Sequence, residues 1–121
     1  MANVTPSVVK SNDGWWVATW ESAALNDADQ AGLPVSPPAL ANGAVVQAIG
    51  AFGNDGSVTL QGSNDGTNWA TLLDIGANAI TFTAAGIKQL TVIPRFIRVL
   101  QTEGEAAVTD VDIILAGQYF R

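Results

Sequence analysis

A strict alternation of polar and apolar positions marks the segment Ser57–Ser63. Every second residue is valine, leucine or glycine, and the residues between them are serine, threonine or glutamine. A period of two residues is typical of a strand that is buried on one face only. Asn-Asp-Gly triplets stand on both sides of it, at 54–56 and 64–66. Because Asp-Gly supplies the positive φ of a tight turn, this stretch predicts three successive antiparallel strands.

Strand-like segments separated by turn residues continue along most of the chain. The segment 44–52 has a different pattern, because almost every residue in it is apolar or small. This pattern is typical of a strand that is buried on both sides or lies at a subunit contact. About seven or eight short strands without a long helical pattern predict an all-β protein, an antiparallel β-sandwich. The predicted strands are 15–20, 44–52, 57–63, 68–75, 79–83, 87–93, 95–102 and 108–117.

Two segments near the N terminus lack such a period. Residues 1–14 are predicted to form an extended arm, because Pro6 disfavours a helix. Residues 21–43, inside a single sandwich domain at 15–121, are predicted to form a long irregular loop. Connections of this length in a compact domain usually have a function. We therefore expect the loop to lie across a surface or to reach a neighbour, and the arm to become ordered only where a partner or neighbour holds it.

Three of the four tryptophans stand within the six residues of the strand 15–20. Trp16 and Trp20 share one face of this strand and Trp15 lies on the other, so at least one ring should lie outside a simple core. Either a bulge or a covering loop buries all three, or they form a stacking platform for a sugar or an anchor for a neighbouring subunit. The irregular loop contributes further apolar residues. The predicted partner contacts are Trp15, Trp16, Trp20, Leu33, Pro34, Val35, Pro37 and Pro38.

Charged residues are scarce, at 13% of the chain, against about 25% in an average protein. The surface must therefore consist largely of neutral side chains, which lose their water easily and suit burial against other protein chains. A net charge of −6 with only five scattered basic residues argues against nucleic-acid binding. No apolar run is long enough to span a membrane. Residues 1–6 lack the pattern of a secretory signal, so we expect synthesis in the cytoplasm.

The chain also lacks the residue types that most often perform chemistry. Cysteine and histidine are both absent, which removes thiolate nucleophiles, imidazole bases and the commonest transition-metal ligands. Asp110 and Asp112 are two residues apart on a predicted strand, which is typical of a solvated rim rather than of two carboxylates facing across a cleft. The Asn-Asp-Gly triplets lack the ligand spacing of a calcium loop. We expect no catalytic residues, no metal and no cofactor.

Two sequence motifs resemble a known kind of β-sandwich. The segment Gly62–Trp69 reads Gly-Ser-Asn-Asp-Gly-Thr-Asn-Trp, and Arg95–Arg98 reads Arg-Phe-Ile-Arg. Together they resemble the turn and strand motif of discoidin-type, galactose-binding-like sandwiches, which have a jelly-roll fold. The hairpin is also similar to one in small bacteriophage virion proteins, including capsid decoration or cement proteins. The resemblance covers roughly residues 45–117.

The resemblance implies structural roles for the residues of these motifs. Asp65 and Gly66 would form the turn, and Trp69 would fill the core beside it. Arg95 and Arg98 would hold strand ends or pair with carboxylates such as those of Asp65 or Asp74. The ligand-binding loops of discoidin-type lectins do not align with this chain, and the cysteines frequent in their secreted members are missing.

For function, the resemblance implies a non-enzymatic virion protein that is made in the host cytoplasm and found on the capsid surface. Such a decoration or cement subunit would stabilise the head by binding between subunits of the major capsid protein, as a homotrimer. Two alternatives remain open. One is a carbohydrate-binding module that stacks sugars on exposed tryptophan, and the other is a tail or fibre component of the same particle.

Overall fold

The computed structural model describes residues 3–4, 6–10, 14–21, 30–38, 41–52, 57–103 and 110–119. These residues form strands and their connections, and none of them belongs to a helix long and apolar enough to cross a membrane. The strands are β1 (Asn3–Val4), β2 (Ser7–Lys10), β3 (Trp15–Trp20), β4 (Gln30–Gly32), β5 (Ala41–Ala51), β6 (Ser57–Ser63), β7 (Ala70–Thr71), β8 (Thr81–Phe82), β9 (Gly86–Gln89), β10 (Phe96–Glu103) and β11 (Asp110–Tyr119).

The strands form two sheets, as the sequence predicts. Sheet A has the order β1-β4-β10-β6-β7, with β8 also paired to β6, and sheet B has the order β2-β3-β11-β5-β9. Every pair between these strands is antiparallel except β1 with β4, which is parallel. The predicted all-β class and the antiparallel β-sandwich are confirmed.

Each long strand buries alternate residues in one hydrophobic core. In β3, Trp16 and Trp20 are buried together with Ala18 between them. In β6, Val58 and Leu60 are buried while the polar residues between them are half-buried. The period of two in the sequence therefore identifies the core-facing residues correctly. The Asn-Asp-Gly triplet at 54–56, predicted as a turn, lies outside the described residues.

The predicted strands 68–75 and 79–83 are much shorter in the structure. Only β7 and β8 form there, with isolated bridges from Leu73 to Ala79 and from Asp74 to Leu90. The Leu72 amide donates to Leu60 O in sheet A at 3.0 Å, whereas the Ile75 amide donates to Gln89 O in sheet B at 3.1 Å. Because this segment passes from one sheet to the other, it cannot keep one continuous ladder.

The described residues of the predicted arm pair with the chain's own sheets. β1 is the outermost strand of sheet A and β2 is the outermost strand of sheet B, so the arm crosses between the two sheets along one edge of the sandwich. The predicted irregular loop also contains regular structure. It includes β4, next to β1, and a bridge from Val35 to Ile97 of β10. Periodicity missed β4 because a three-residue strand is too short to show an alternation.

Candidate functional site

The three clustered tryptophans have different environments. Trp16 and Trp20 are 1% and 0% exposed, whereas Trp15 is 44% exposed. The prediction that Trp16 and Trp20 contact a partner is therefore wrong, because their rings lie in the chain's own core. Trp20 also donates its indole N–H to Leu33 O at 2.9 Å. The expectation that at least one ring lies outside the core is met by Trp15.

The loop residues predicted to bind a partner likewise include both buried and exposed side chains. Val35 is 4% exposed and exchanges two backbone hydrogen bonds with Ile97, at 2.8 and 2.9 Å. It is therefore a core residue, which corrects its predicted role. Leu33 and Pro34 are exposed, and Pro37 and Pro38 are half-buried. The two bonds at Val35 and the indole bond to Leu33 fix this part of the loop against the sandwich.

Exposed apolar side chains from the arm and the loop lie along one edge of the molecule. Val8 and Val9 of β2 are 51% and 60% exposed, and Leu33 is 40% exposed. β2 ends sheet B, and Leu33 directly follows β4, which lies next to the last strand of sheet A. We name this surface the arm edge, and it consists of Val8, Leu33 and Pro34; Val9, the next residue of β2, lies on the opposite side of sheet B. The fold thus brings together the two segments that the sequence predicts to contact neighbours.

The turn after β6 is organised by the carboxylate of Asp65. Its Oδ1 accepts hydrogen bonds from the amides of Thr67 and Asn68, both at 2.8 Å, and from the Ser63 hydroxyl at 2.9 Å. Its Oδ2 accepts from the Asn68 side-chain amide at 2.7 Å. Gly66 follows with a φ of 77°, which only glycine adopts without strain. The predicted roles of Asp65 and Gly66 in the turn agree with this geometry.

These hydrogen bonds hold the pKa of Asp65 well below its usual range, because the charged carboxylate accepts the Asn68 and Thr67 amides more strongly than the neutral acid would. A lowered pKa means that the stabilising effect is complete above the usual Asp pKa of about 3.9 and is lost as the pH falls further.

We expect Asp65→Asn to lower the melting temperature near pH 7. The difference in melting temperature between Asp65→Asn and the unmodified chain should become steadily smaller below about pH 4. Thermal melts from pH 7 to pH 2 test this, and a difference independent of pH would contradict it.

The surroundings of Trp69, Arg95 and Arg98 differ in part from those that the resemblance implies. Trp69 is half-buried, and the Arg98 guanidinium lies over its ring at 4.3 Å from the centroid. Arg98 Nε also donates to Gln61 Oε1 at 2.9 Å. Arg98 therefore binds an aromatic ring and an amide, and the partners of the Asp65 carboxylate come from its own turn. The Arg95 side chain is exposed, 5.1 Å from the Phe96 ring centroid.

The outer face of sheet B has an uncharged central region. Val9, Val17, Ala116, Val45 and Gln89 lie opposite one another on five consecutive strands. The adjacent row on the same face contains threonine, isoleucine and glutamine residues. We name this surface the neutral face, and it consists of Val9, Val17, Thr19, Val45, Gln47, Ile87, Gln89, Ile114 and Ala116, with Trp15 and Gln118 at one end.

The neutral face explains the unusual pattern of the segment 44–52. In β5, Val46 and Ala48 are fully buried, whereas Val45 and Ile49 on the other side are both 37% exposed. No described residue covers this outer side. The sequence left open whether the strand is buried on both sides by its own fold or lies at a subunit contact, and the structure leaves its outer side uncovered.

The two ends of the neutral face differ. At one end lie the carboxylates of Asp112, opposite Ile49, and of Glu21, just past the end of β3. At the other end a shallow depression of about 280 Å³ adjoins the exposed ring of Trp15. It is lined by Trp15, Gly43, Ala44, Val45, Gln89, Ala116, Gly117 and Gln118. Within the described part of the chain, no three carboxylates, cysteines or histidines are grouped so as to hold a metal ion.

Comparisons with known proteins do not assign the chain to a family. No family model matches it, and no curated protein does. Among solved structures, a chain of Bacillus endospore appendages, described as a novel family of disulfide-linked pili, aligns over 100% of this chain and 96% of its own length. The identity is 12% and the TM-score is 0.44. This likeness is too distant to indicate a function, and the present chain has no cysteine with which to form a disulfide.

Proposed function

We propose that this protein is a non-enzymatic structural protein, and more specifically a bacteriophage decoration subunit that binds between major capsid subunits through its arm edge. The observation that carries the proposal is the concentration of exposed apolar residues on the outermost strand and the adjoining loop. Val8 and Leu33 are both at least 40% exposed. Isolated exposed apolar residues are common on proteins, but a group of them on an open sheet edge is typical of an interaction site.

The position of β2 suggests how the arm edge would bind. As the last strand of sheet B, it has one side on which another strand can form main-chain hydrogen bonds. In such strand addition the backbone supplies affinity and alternate side chains supply selectivity. Lys10 is the only charged residue of β2, so desolvating this strand costs little. Leu33 and Pro34 would add apolar contacts beside the added strand.

The few contacts that the arm edge can make are sufficient for attachment to a symmetric shell. Each copy contributes few side chains, but a copy that binds between two capsid subunits contacts both at once, so the second contact forms at a high effective concentration. A neutral and chemically inert surface is consistent with this role. The absence of histidine and cysteine from the sequence supports a non-enzymatic function.

The proposal is tested by locating the protein on particles. Antibodies against the purified chain, with gold labelling in the electron microscope, should decorate the heads of virions released by the cells that produce it. Labelling of tails or fibres alone would favour the tail alternative, and an absence of label from all particles would refute a virion role. Retention of the purified chain on a glycan column, abolished by Trp15→Ala, would favour the carbohydrate-binding alternative.

Variants in the arm edge should abolish attachment without unfolding the protein. We expect Val8→Asp combined with Leu33→Asp to reduce co-sedimentation with heads from a strain lacking this gene by at least about tenfold, because both charges would be buried at the contact. Both side chains are exposed in the free chain, so the thermal melt should change little. The matched control is Val92→Asp, at a side chain that is 59% exposed outside the strands. Unchanged binding of the double variant would contradict the proposed attachment.

A further inference from the structure

The neutral face is larger than the arm edge. Its two central rows run across the five strands of sheet B and contain no charged residue. Ile87 at one side is 64% exposed and Val9 at the other is 60% exposed. The same face carries glutamine and threonine side chains, which can form hydrogen bonds with a like surface. A sheet face of this composition is suited to packing against a second sheet.

The distribution of charge indicates which surface the neutral face would pack against. The net charge is −6, so two copies repel one another wherever their acidic surfaces meet. On the neutral face, the acidic residues Asp112 and Glu21 are at one end, and the exposed ring of Trp15 is at the other. A two-fold axis that lies in the contact plane and runs across the strands places the acidic end of each copy against the uncharged end of its partner. The face is therefore complementary to itself in one orientation.

The area is adequate for a stable pair. The outer strands β2 and β9 have only four residues each. At about 4.8 Å between strands and about 3.4 Å per residue, the face therefore covers roughly 460 Å² in projection. The accessible area of such a layer exceeds its projection because the side chains make it uneven. The area per partner thus lies at the lower end of the range for specific interfaces, whose standard value is about 800 Å².

We propose that the neutral face binds the neutral face of a second copy of this chain, forming a two-fold symmetric dimer. The contact buries Val17, Val45, Ile114 and Ala116 of both copies, with the two sheets B packed against each other. A two-fold pair differs from the homotrimer that the sequence resemblance implies. It leaves Val8 and Leu33 available, so its success or failure is independent of attachment through the arm edge.

The mass of the intact chain in solution tests the dimer. Sedimentation equilibrium at micromolar concentration should give twice the 12.5 kDa of one chain. Val45→Asp should weaken the association at least about 100-fold, because it places a charge from each copy inside an apolar contact. Val92→Asp is the control and should leave the mass of the dimer unchanged. A monomeric or trimeric mass for the unmodified chain, or a dimer that survives Val45→Asp, would overturn the proposal.

A second measurement is independent of any folding defect in the Val45 variant. Because the chain contains no cysteine, a single introduced thiol can be cross-linked only to another copy. Ala116 is on the central strand of the face, close to the expected axis. Stacked sheets lie about 10 Å apart, which is beyond the Cα separation of about 7 Å that a disulfide allows. A bismaleimide reagent with a span of about 10 Å should therefore link Ala116→Cys into covalent dimers. Val92→Cys, outside the strands of sheet B, should form covalent dimers much more slowly. Equal rates for the two variants would contradict face-to-face pairing.

Discussion

Replacing Trp20 with alanine is expected to destabilise the protein by about 4 kcal/mol, the largest effect of any single substitution considered. The ring is fully buried, and its removal leaves a cavity between the two sheets that the surrounding strands cannot fill. Leu33 O also loses the indole N–H that donates to it at 2.9 Å. Since a domain of this size is stable by about 5 to 15 kcal/mol, the loss is a large fraction of the total. Urea unfolding followed by far-UV circular dichroism measures it.

The same strand provides a matched control. Trp15→Ala removes an identical side chain from the opposite face of β3, where the ring is 44% exposed. Less buried apolar area is lost and no interior cavity forms, so we expect a smaller loss, of at most about 2 kcal/mol. Similar losses for the two variants would contradict the assignment of Trp20 to the core and of Trp15 to the surface.

Gly117→Ala is the second substitution expected to be severe, at about 2 to 3 kcal/mol. A Cβ at this position would overlap the backbone oxygen of Gly43 on β5 and would lie 2.8 Å from Trp16 Nε1. A backbone atom cannot rotate away as a flexible side chain can, so β11 and β5 must separate locally. The pairing of these strands is already irregular between Gly117 and Gln118. Chemical denaturation measures the loss, and backbone hydrogen exchange should show it concentrated in β5 and β11.

Another strand glycine of sheet B serves as the control. At Gly86 of β9, an added Cβ would meet only the Phe82 ring, at 3.7 Å, which is ordinary contact. Gly86→Ala should therefore be neutral or slightly stabilising, because alanine reduces the freedom of the unfolded chain. If both glycine variants were equally destabilised, the cause would be a general loss of strand flexibility rather than the close approach at Gly117.

Much of the sandwich is predictable from local pattern. The strand Ser57–Ser63 and the strand Trp15–Trp20 have the predicted boundaries. The reason is that a period of two and clear turn residues are local properties of the chain. The turn at Asp65 is also local, since its carboxylate binds groups within three residues along the sequence. Features of this kind need no information about distant residues.

The candidate surfaces were only partly predictable. The sequence predicts that arm and loop residues contact neighbours. Nothing in it distinguishes Val35, which is buried, from Leu33, which is exposed. Trp16 was expected to be available to a partner, and the structure buries it. The neutral face could be predicted only from the order of the strands. Val17 and Val45 are far apart in the sequence, and β11 places them on either side of Ala116.

The sequence by itself determined the fold class, the strands with a strict period of two, the Asp65 turn and the scarcity of charge. Each of these depends on residues that are close together in the chain or on composition alone. Only the tertiary structure decided which apolar residues remain uncovered, because burial depends on which strands become neighbours. The arm adds the outermost strand to one edge of each sheet, Val35 pairs with Ile97, and the outer side of β5 stays open. These outcomes follow from long-range pairing, whose energy is shared among residues that no local pattern connects.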